Sequence, residues 1–373
     1  LAQADGNLLV DGPGIPLSLT GSIYELNPSI PAFYYPDGAQ FGVADGTRKV
    51  RILGYAVSGN SLFFAWNDGI WEYVLAKAPW KRVADLGAPR AYPAVSATGD
   101  DLWVVGGMVN GLPSPIAERI RLTTGAVQGL PNIGAARAGA ASVIYKGAPV
   151  ILGGLNTQAL RTSEVWDNAR TRWTLFPPMT SARAYPAAVV FGERIFVFGG
   201  LGERGALDSY EVYDAQIGWR HAGKMPRAIH QAAAVRSGNT VVLAGGITND
   251  GPISRVVYAL NPPTGEGTEL PPTTVAPAAF SLNALSDGSL LALFGWDGEH
   301  IANTYEVLKE GASSWEQFRY TVFPRYGAGT ALSGARIYFA GGVAQTLGVT
   351  SLVDSFKPLP VYAPLPPGKT SAE

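Results

Sequence analysis

An apolar run that closes on a pair of glycines returns along this chain at a nearly constant interval. It appears as Trp103-Val104-Val105-Gly106-Gly107, Val150-Ile151-Leu152-Gly153-Gly154 and Phe196-Val197-Phe198-Gly199-Gly200. It returns as Val242-Leu243-Ala244-Gly245-Gly246 and Tyr338-Phe339-Ala340-Gly341-Gly342, with degenerate copies at Phe63-Phe64-Ala65-Trp66 and Leu293-Phe294-Gly295-Trp296. Taking the first residue of each terminal pair gives positions 65, 106, 153, 199, 245, 295 and 341, spaced by 41, 47, 46, 46, 50 and 46. A period of this size marks a repeat architecture, because each unit is too small to bury its own apolar faces and must stack on its neighbours.

Each unit carries the same four signals. A small-residue strand such as Ala184–Val190 is followed by a short turn, the apolar strand and its glycines, and a polar loop. An alternating strand such as Ser209–Asp214 comes next, then an aromatic strand beginning at Trp173, Trp219 or Trp315. Runs of this length bounded by Gly, Pro, Asn and Asp read as strands, and no segment sustains a helical period. Composition agrees: 46 Gly and 28 Pro in 373 residues are about a fifth of the chain, against roughly an eighth in ordinary proteins. With hydrophobic residues at 47% and charged residues at 15% the chain has ample material for a core. Four antiparallel strands per unit bury both faces only by radial packing, which predicts an all-β propeller of seven four-stranded blades, with six or eight as the alternatives. The glycine pair is expected where neighbouring sheets crowd toward the axis, and the fourth-strand tryptophan between blades at the wide rim.

Gly-Gly, an aromatic followed by Asp, then Trp, Met or Pro, and Arg resembles the kelch repeat. The fullest copies are Gly153-Gly154, Trp166-Asp167, Trp173, Met179, Arg183 and then Gly199-Gly200, Tyr213-Asp214, Trp219, Met225, Arg227. The resemblance covers roughly 85% of the chain by its period. It is specific for fold and nearly silent on function. Copper-radical oxidases built on kelch propellers need a tyrosine crosslinked to cysteine, and this chain has no cysteine. The same absence removes disulfides, thiolate metal sites and cysteine nucleophiles.

The blades are expected over residues 48–362. Residues 1–47 repeat a third-strand pattern at Tyr24-Glu25-Leu26-Asn27 and a fourth-strand pattern at Phe33-Tyr34-Tyr35, and are expected to close the ring by adding outer strands to the last blade. Residues 363–373 read as a tail. Small residues at Ala2 and Ala4 suit the end of a cleaved secretory signal, equally the edge of a larger chain; an extracytoplasmic setting is the expectation. A formal charge of −1 gives no global drive toward nucleic acid, and no uncharged stretch is long enough for a membrane-spanning helix.

Sixteen residues before each first glycine stand Lys49, Arg90, Arg137, Arg183, Ile229, Ala279 and Arg325, and a longer turn in the fifth unit lets Arg227 take the place of Ile229. Six of seven equivalent positions are then basic. They predict a ring of cations around one mouth of the central channel, with Tyr92, Tyr185 and Tyr326 beside them. The competing expectation is that these arginines bond backbone carbonyls of adjacent loops. Guanidinium groups suit carboxylates and phosphates through paired hydrogen bonds. In the kelch resemblance, similar arginines bind acidic peptides in adaptors and face a carboxylated sugar in sialic-acid mutarotases. Trp296 and His300, with Asp297 and Glu299, offer a second candidate patch where the glycine pair breaks down.

Other motifs carry less. Gly200-Leu201-Gly202-Glu203-Arg204-Gly205 matches a dinucleotide fingerprint, but a strand pattern follows where a helix is required. His221, His230 and His300 have no metal-ligand spacing, although His230 falls near the axis, so no metal or cofactor is expected. Glu72, Glu118, Glu164, Glu211 and Glu306 recur at one place on the third strands and are expected to face outward. No nucleophile elbow is present. The residues therefore favour a non-catalytic binding module whose partner is an acidic protein segment or acidic glycan. A sugar mutarotase and a structural component of a larger secreted, surface or virion assembly are the other readings.

Overall fold

The computed structural model describes residues 80–357 except 252, 276, 303, 320–323, 345 and 346, and gives strand backbone only for parts of the chain before residue 80. Every regular element among the described residues is a strand. Six four-stranded antiparallel sheets follow one another. Blade 1 runs Ala94–Thr98, Asp101–Val105, Ala117–Arg121, Val127–Leu130, from the axis outward. Blades 2 to 5 repeat this order from inner strands Ala141–Tyr145, Ala187–Phe191, Ala233–Ser237 and Ser281–Ala284. In blade 6 the inner three strands are Gly329–Ser333, Arg336–Ala340 and Leu352–Phe356, and the outermost is Trp80–Asp85 from the other end of the described chain.

Packing follows from strands that are apolar on both faces. On the second strand of blade 1, Leu102 and Val104 enter the core shared with blade 6, while Trp103 and Val105 enter the core shared with blade 2. The same division gives one hydrophobic cluster at each of the six blade interfaces. Trp173 and Trp315 are buried in two of them, as expected for fourth-strand aromatics.

A circuit of backbone hydrogen bonds joins the blades at the axis. Tyr92 N donates to Gly327 O (2.6 Å), Gly139 N to Tyr92 O (2.9 Å) and Tyr185 N to Gly139 O (2.7 Å). Gln231 N then donates to Tyr185 O (3.1 Å), Ala279 N to Gln231 O (3.0 Å) and Gly327 N to Ala279 O (2.9 Å), which returns the circuit to its start. All six residues lie in the left-handed region, with φ from 51° at Ala279 to 62° at Gly327. For the four that are not glycine this conformation costs about 1–3 kcal/mol each, and the shared circuit holds it in place.

The count of seven becomes six among the described residues. The first repeat unit forms a sheet of only three strands, Gly54–Ser58, Ser61–Trp66 and Gly69–Val74. The strand that would be its fourth, Trp80–Asp85, pairs instead with Leu352–Phe356. Outer-strand closure by an N-terminal element is therefore present, but at residues 80–85; within residues 1–47 the strands Ala2–Ala4, Asn7–Gly12 and Gly14–Leu19 pair with one another, and residues 363–373 lie outside the described residues.

Candidate functional site

Arg90, Arg137, Arg183 and Arg325 do not line the channel mouth. They are among the largest fully buried side chains, each at most 1% exposed. Each turns into its own blade and meets a third-strand carboxylate. Arg137 Nη2 lies 2.7 Å from Glu164 Oε1, and Arg183 Nη2 lies 2.9 Å from Glu211 Oε1. Arg90 pairs with Glu118 and Arg325 with Asp354 in the same way. Each arginine also donates to carbonyls: Arg183 Nη1 reaches Gly199 O at 2.7 Å and Ser209 O at 2.9 Å. The glutamates accept backbone N–H groups from the loop that enters the blade, as Glu211 does from Thr180 (2.7 Å) and Ser181 (3.0 Å). So Glu118, Glu164 and Glu211 face inward rather than outward, because a buried guanidinium needs a charge partner.

Two blades vary the theme. The carbonyl of the arginine position accepts from the second glycine of the preceding blade, and Gly200 N finds Ile229 O there. Ile229 thus holds the position itself, and Arg227 is exposed on the loop. On the facing third strand the glutamate is replaced by Tyr258. In blade 5 the glycine pair is Phe294-Gly295, with φ of 63° and 105°, and the matching carbonyl to Gly246 N comes from Pro277. Glu306 has no arginine there, and takes Thr274 N, Val275 N and the Thr274 hydroxyl instead. Lys49 is described only as backbone, in the strand Lys49–Val50 opposite Gly42.

Charge burial makes the blades acid-sensitive. Burial alone would raise Glu211, but hydrogen bonds from Thr180 and the Arg183 charge outweigh it and hold the carboxyl below its ordinary value of 4.5. A carboxyl lowered on folding stabilises the protein above that value and ceases to do so as pH falls through the native one. Circular dichroism titration should show unfolding beginning below about pH 4.5. Glu211→Gln should show a shallower acid limb; an unchanged limb would remove Glu211 from the account.

With the repeated inter-blade latch and buried ion pair described, the comparisons fall into place. A model described as the Kelch motif matches residues 182–217, which span Arg183, the glycine pair and Glu211. The fold is a β-propeller, and its third blade carries a kelch motif. Among solved structures the fold matches one titled "Structure of YjhT", with 15% identity and a TM-score of 0.62 over 73% of this chain and 95% of that one. No curated protein matches the chain in sequence. The fold alone leaves activity open.

What this propeller does present at the mouth is aromatic. The left-handed circuit aims Tyr92 and Tyr185 into the channel, where Tyr92 lies over Gly327 and Tyr185 over Gly139; a Cβ on either glycine would strike the ring. Tyr92 and Tyr185 meet edge to face at 5.2 Å. Tyr326 joins Tyr92 at 6.2 Å, Trp296 joins Tyr326 at 6.3 Å, and His230 joins Tyr185 at 6.4 Å. Five rings from blades 5, 6, 1, 3 and 4 thus form a horseshoe. Two of these rings, Tyr92 and Tyr185, line a cavity of about 120 Å³ together with Gln231, Ala279 and Phe280 among others.

Burial raises Tyr92 and, secondarily, so do Tyr326 and Tyr185; burial also raises Tyr185 and lowers His230, which favours the neutral form of each of the three. His230 Nδ1 is buried without a hydrogen-bond partner. His300, by contrast, is exposed on a turn in which Asp297 Oδ1 accepts Glu299 N and His300 N, so the expected acid–base patch is turn chemistry and only Trp296 joins the mouth. Among the described residues no group of three or more His, Asp or Glu is arranged to hold a metal ion.

Six hairpins rise around this mouth, one per blade. The residue before each circuit member pairs with the hairpin's first residue: Ala91 with Met108, Ala138 with Leu155, Ala184 with Leu201, His230 with Ile247, Ala278 with Trp296 and Tyr326 with Val343. Sequence reasoning found the three tyrosines and placed His230 near the axis. It missed Gln231 and the hairpin crown. Their signal was available as the constant offset of two residues from the arginine position, once Pro277 is recognised as its blade-5 member.

Proposed function

We propose that this kelch propeller is a non-catalytic binding module that receives a segment of a partner protein at the aromatic mouth. The observation that carries the reading is the five-ring horseshoe set against an open cavity, with the guanidinium and carboxylate pairs consumed inside the blades. Aromatic side chains supply large contact area for little lost conformational freedom. On the hairpins of the mouth stand exposed apolar side chains, Leu112 at 70%, Leu347 at 52% and Val349 at 44%, of the kind protein contacts cover. Burial favours the neutral forms of Tyr92, Tyr185 and His230, which suits recognition of a ligand.

Selection from a library of random short peptides on the full chain tests this. Retained peptides should bind Tyr326→Ala at least about ten-fold more weakly, the loss of one central aromatic anchor. Peptides that bind the variant as well as the parent protein would overturn the reading. Anomerisation of acidic sugars followed by NMR should run at its uncatalysed rate; acceleration would favour the mutarotase instead.

A further inference from the structure

The chemistry of the mouth specifies its ligand further, and this deepening rests on the binding reading above. Faces of Tyr and Trp rings carry negative potential and attract a cation within about 6 Å of the ring centre. Here Tyr92 and Tyr185, 5.2 Å apart, both line the cavity, so a group seated in it meets two rings. The sequence pointed to cations on the protein side; the structure removes Arg90, Arg137, Arg183 and Arg325 from the mouth by burial.

The hairpin crown is divided in charge. The tips of blades 3, 4 and 5 carry Glu203, Asp250, Asp297 and Glu299, all exposed, against Arg204 and His300. These three hairpins form one continuous arc. Asn249 Oδ1 accepts Ala206 N at 2.6 Å across blades 3 and 4, and Gly298 of blade 5 approaches Ile253 of blade 4. Hydrogen bonds from the turn, led by His300 N, hold the Asp297 carboxyl below its ordinary value, so it stays charged. The arc stands on the side of the mouth where the aromatic horseshoe is open, between His230 and Trp296. The opposite hairpins, of blades 6, 1 and 2, carry no charged residue among those described at their tips and bear Leu112, Leu347 and Val349.

We infer that the mouth takes a cationic side chain, arginine or lysine, of the partner segment, with the flat of the cation on the tyrosines and its charge toward the acidic arc. An apolar residue beside it in the segment lies on the blade 6 and blade 1 hairpins. Attraction of this kind steers encounter and sets orientation as well as adding affinity.

The peptides retained by the full chain and weakened by Tyr326→Ala report directly on this. They are expected to share an arginine or lysine whose replacement by glutamine abolishes binding. The exposed double variant Glu203→Gln, Glu299→Gln, which touches neither the core nor the circuit, is expected to weaken them about five-fold at low salt and less at high salt. Tyr326-dependent peptides whose essential residue is acidic or uncharged would overturn the inference and leave the binding module intact. Absence of any Tyr326-dependent peptide would overturn both.

Discussion

Replacing Arg183 by Ala is expected to destabilise the propeller by about 3–5 kcal/mol, the cost of leaving a buried carboxylate without its cation. Arg183 and Glu211 are both fully buried, and Glu211 Oε1 accepts from Nε at 3.1 Å as well as from Nη2. Denaturant unfolding would read the loss as a lower midpoint at unchanged slope. The chain contains its own control. In blade 4 the corresponding pair is Ile229 and Tyr258, so a buried ion pair is one solution to this position and an apolar pair is another. The double variant Arg183→Ile, Glu211→Tyr should therefore recover a large part of what Arg183→Ala loses. A double variant no more stable than the single one would show that the charges are needed for something beyond mutual neutralisation.

Gly153→Ala is expected to cost about 2–5 kcal/mol, from a left-handed backbone and a steric clash together. Gly153 has φ of 62°, and an added Cβ would collide with the Arg183 carbonyl of the next blade, with Met179 Cε only 2.9 Å away on another side. Met179 can turn aside; the carbonyl cannot, because it also accepts Gly154 N at 2.9 Å and so latches the two blades. Gly111→Ala, with φ of 77° but open space around it, should keep the strain and omit the clash. If the two substitutions proved equally costly, steric closure at the latch would not be the glycine's role.

The propeller was legible because its determinants are local and repeated. Apolar strands closing on glycine pairs, a tryptophan opening the fourth strand and a charge at a fixed offset each mark one blade. Blade number was harder, since a repeat counts units and closure counts strands. The first unit's aromatic strand, Trp80–Asp85, completes the last blade, and nothing within that strand announces its distant partner. The site was half legible. Tyr92, Tyr185 and Tyr326 were found because they neighbour the arginines. The direction of the arginines was not, for an arginine before an inner strand satisfies a mouth or a blade equally well. Its partner glutamate, 28 residues on for both Arg90 and Arg183, decides the matter only once the third strand is known to present that face inward. Trp296 and His300 are four residues apart in sequence, yet the turn held by Asp297 sends one to the horseshoe and the other to solvent.

The pairing of Trp80 with Phe356 sets how the ring bears load. Residues 80 and 357 leave from the same end of one antiparallel pair, at the end remote from the glycine latch beside Leu352. Tension between the flanking segments therefore opens that pair like a zipper, rung by rung from Trp80, instead of shearing all its rungs together.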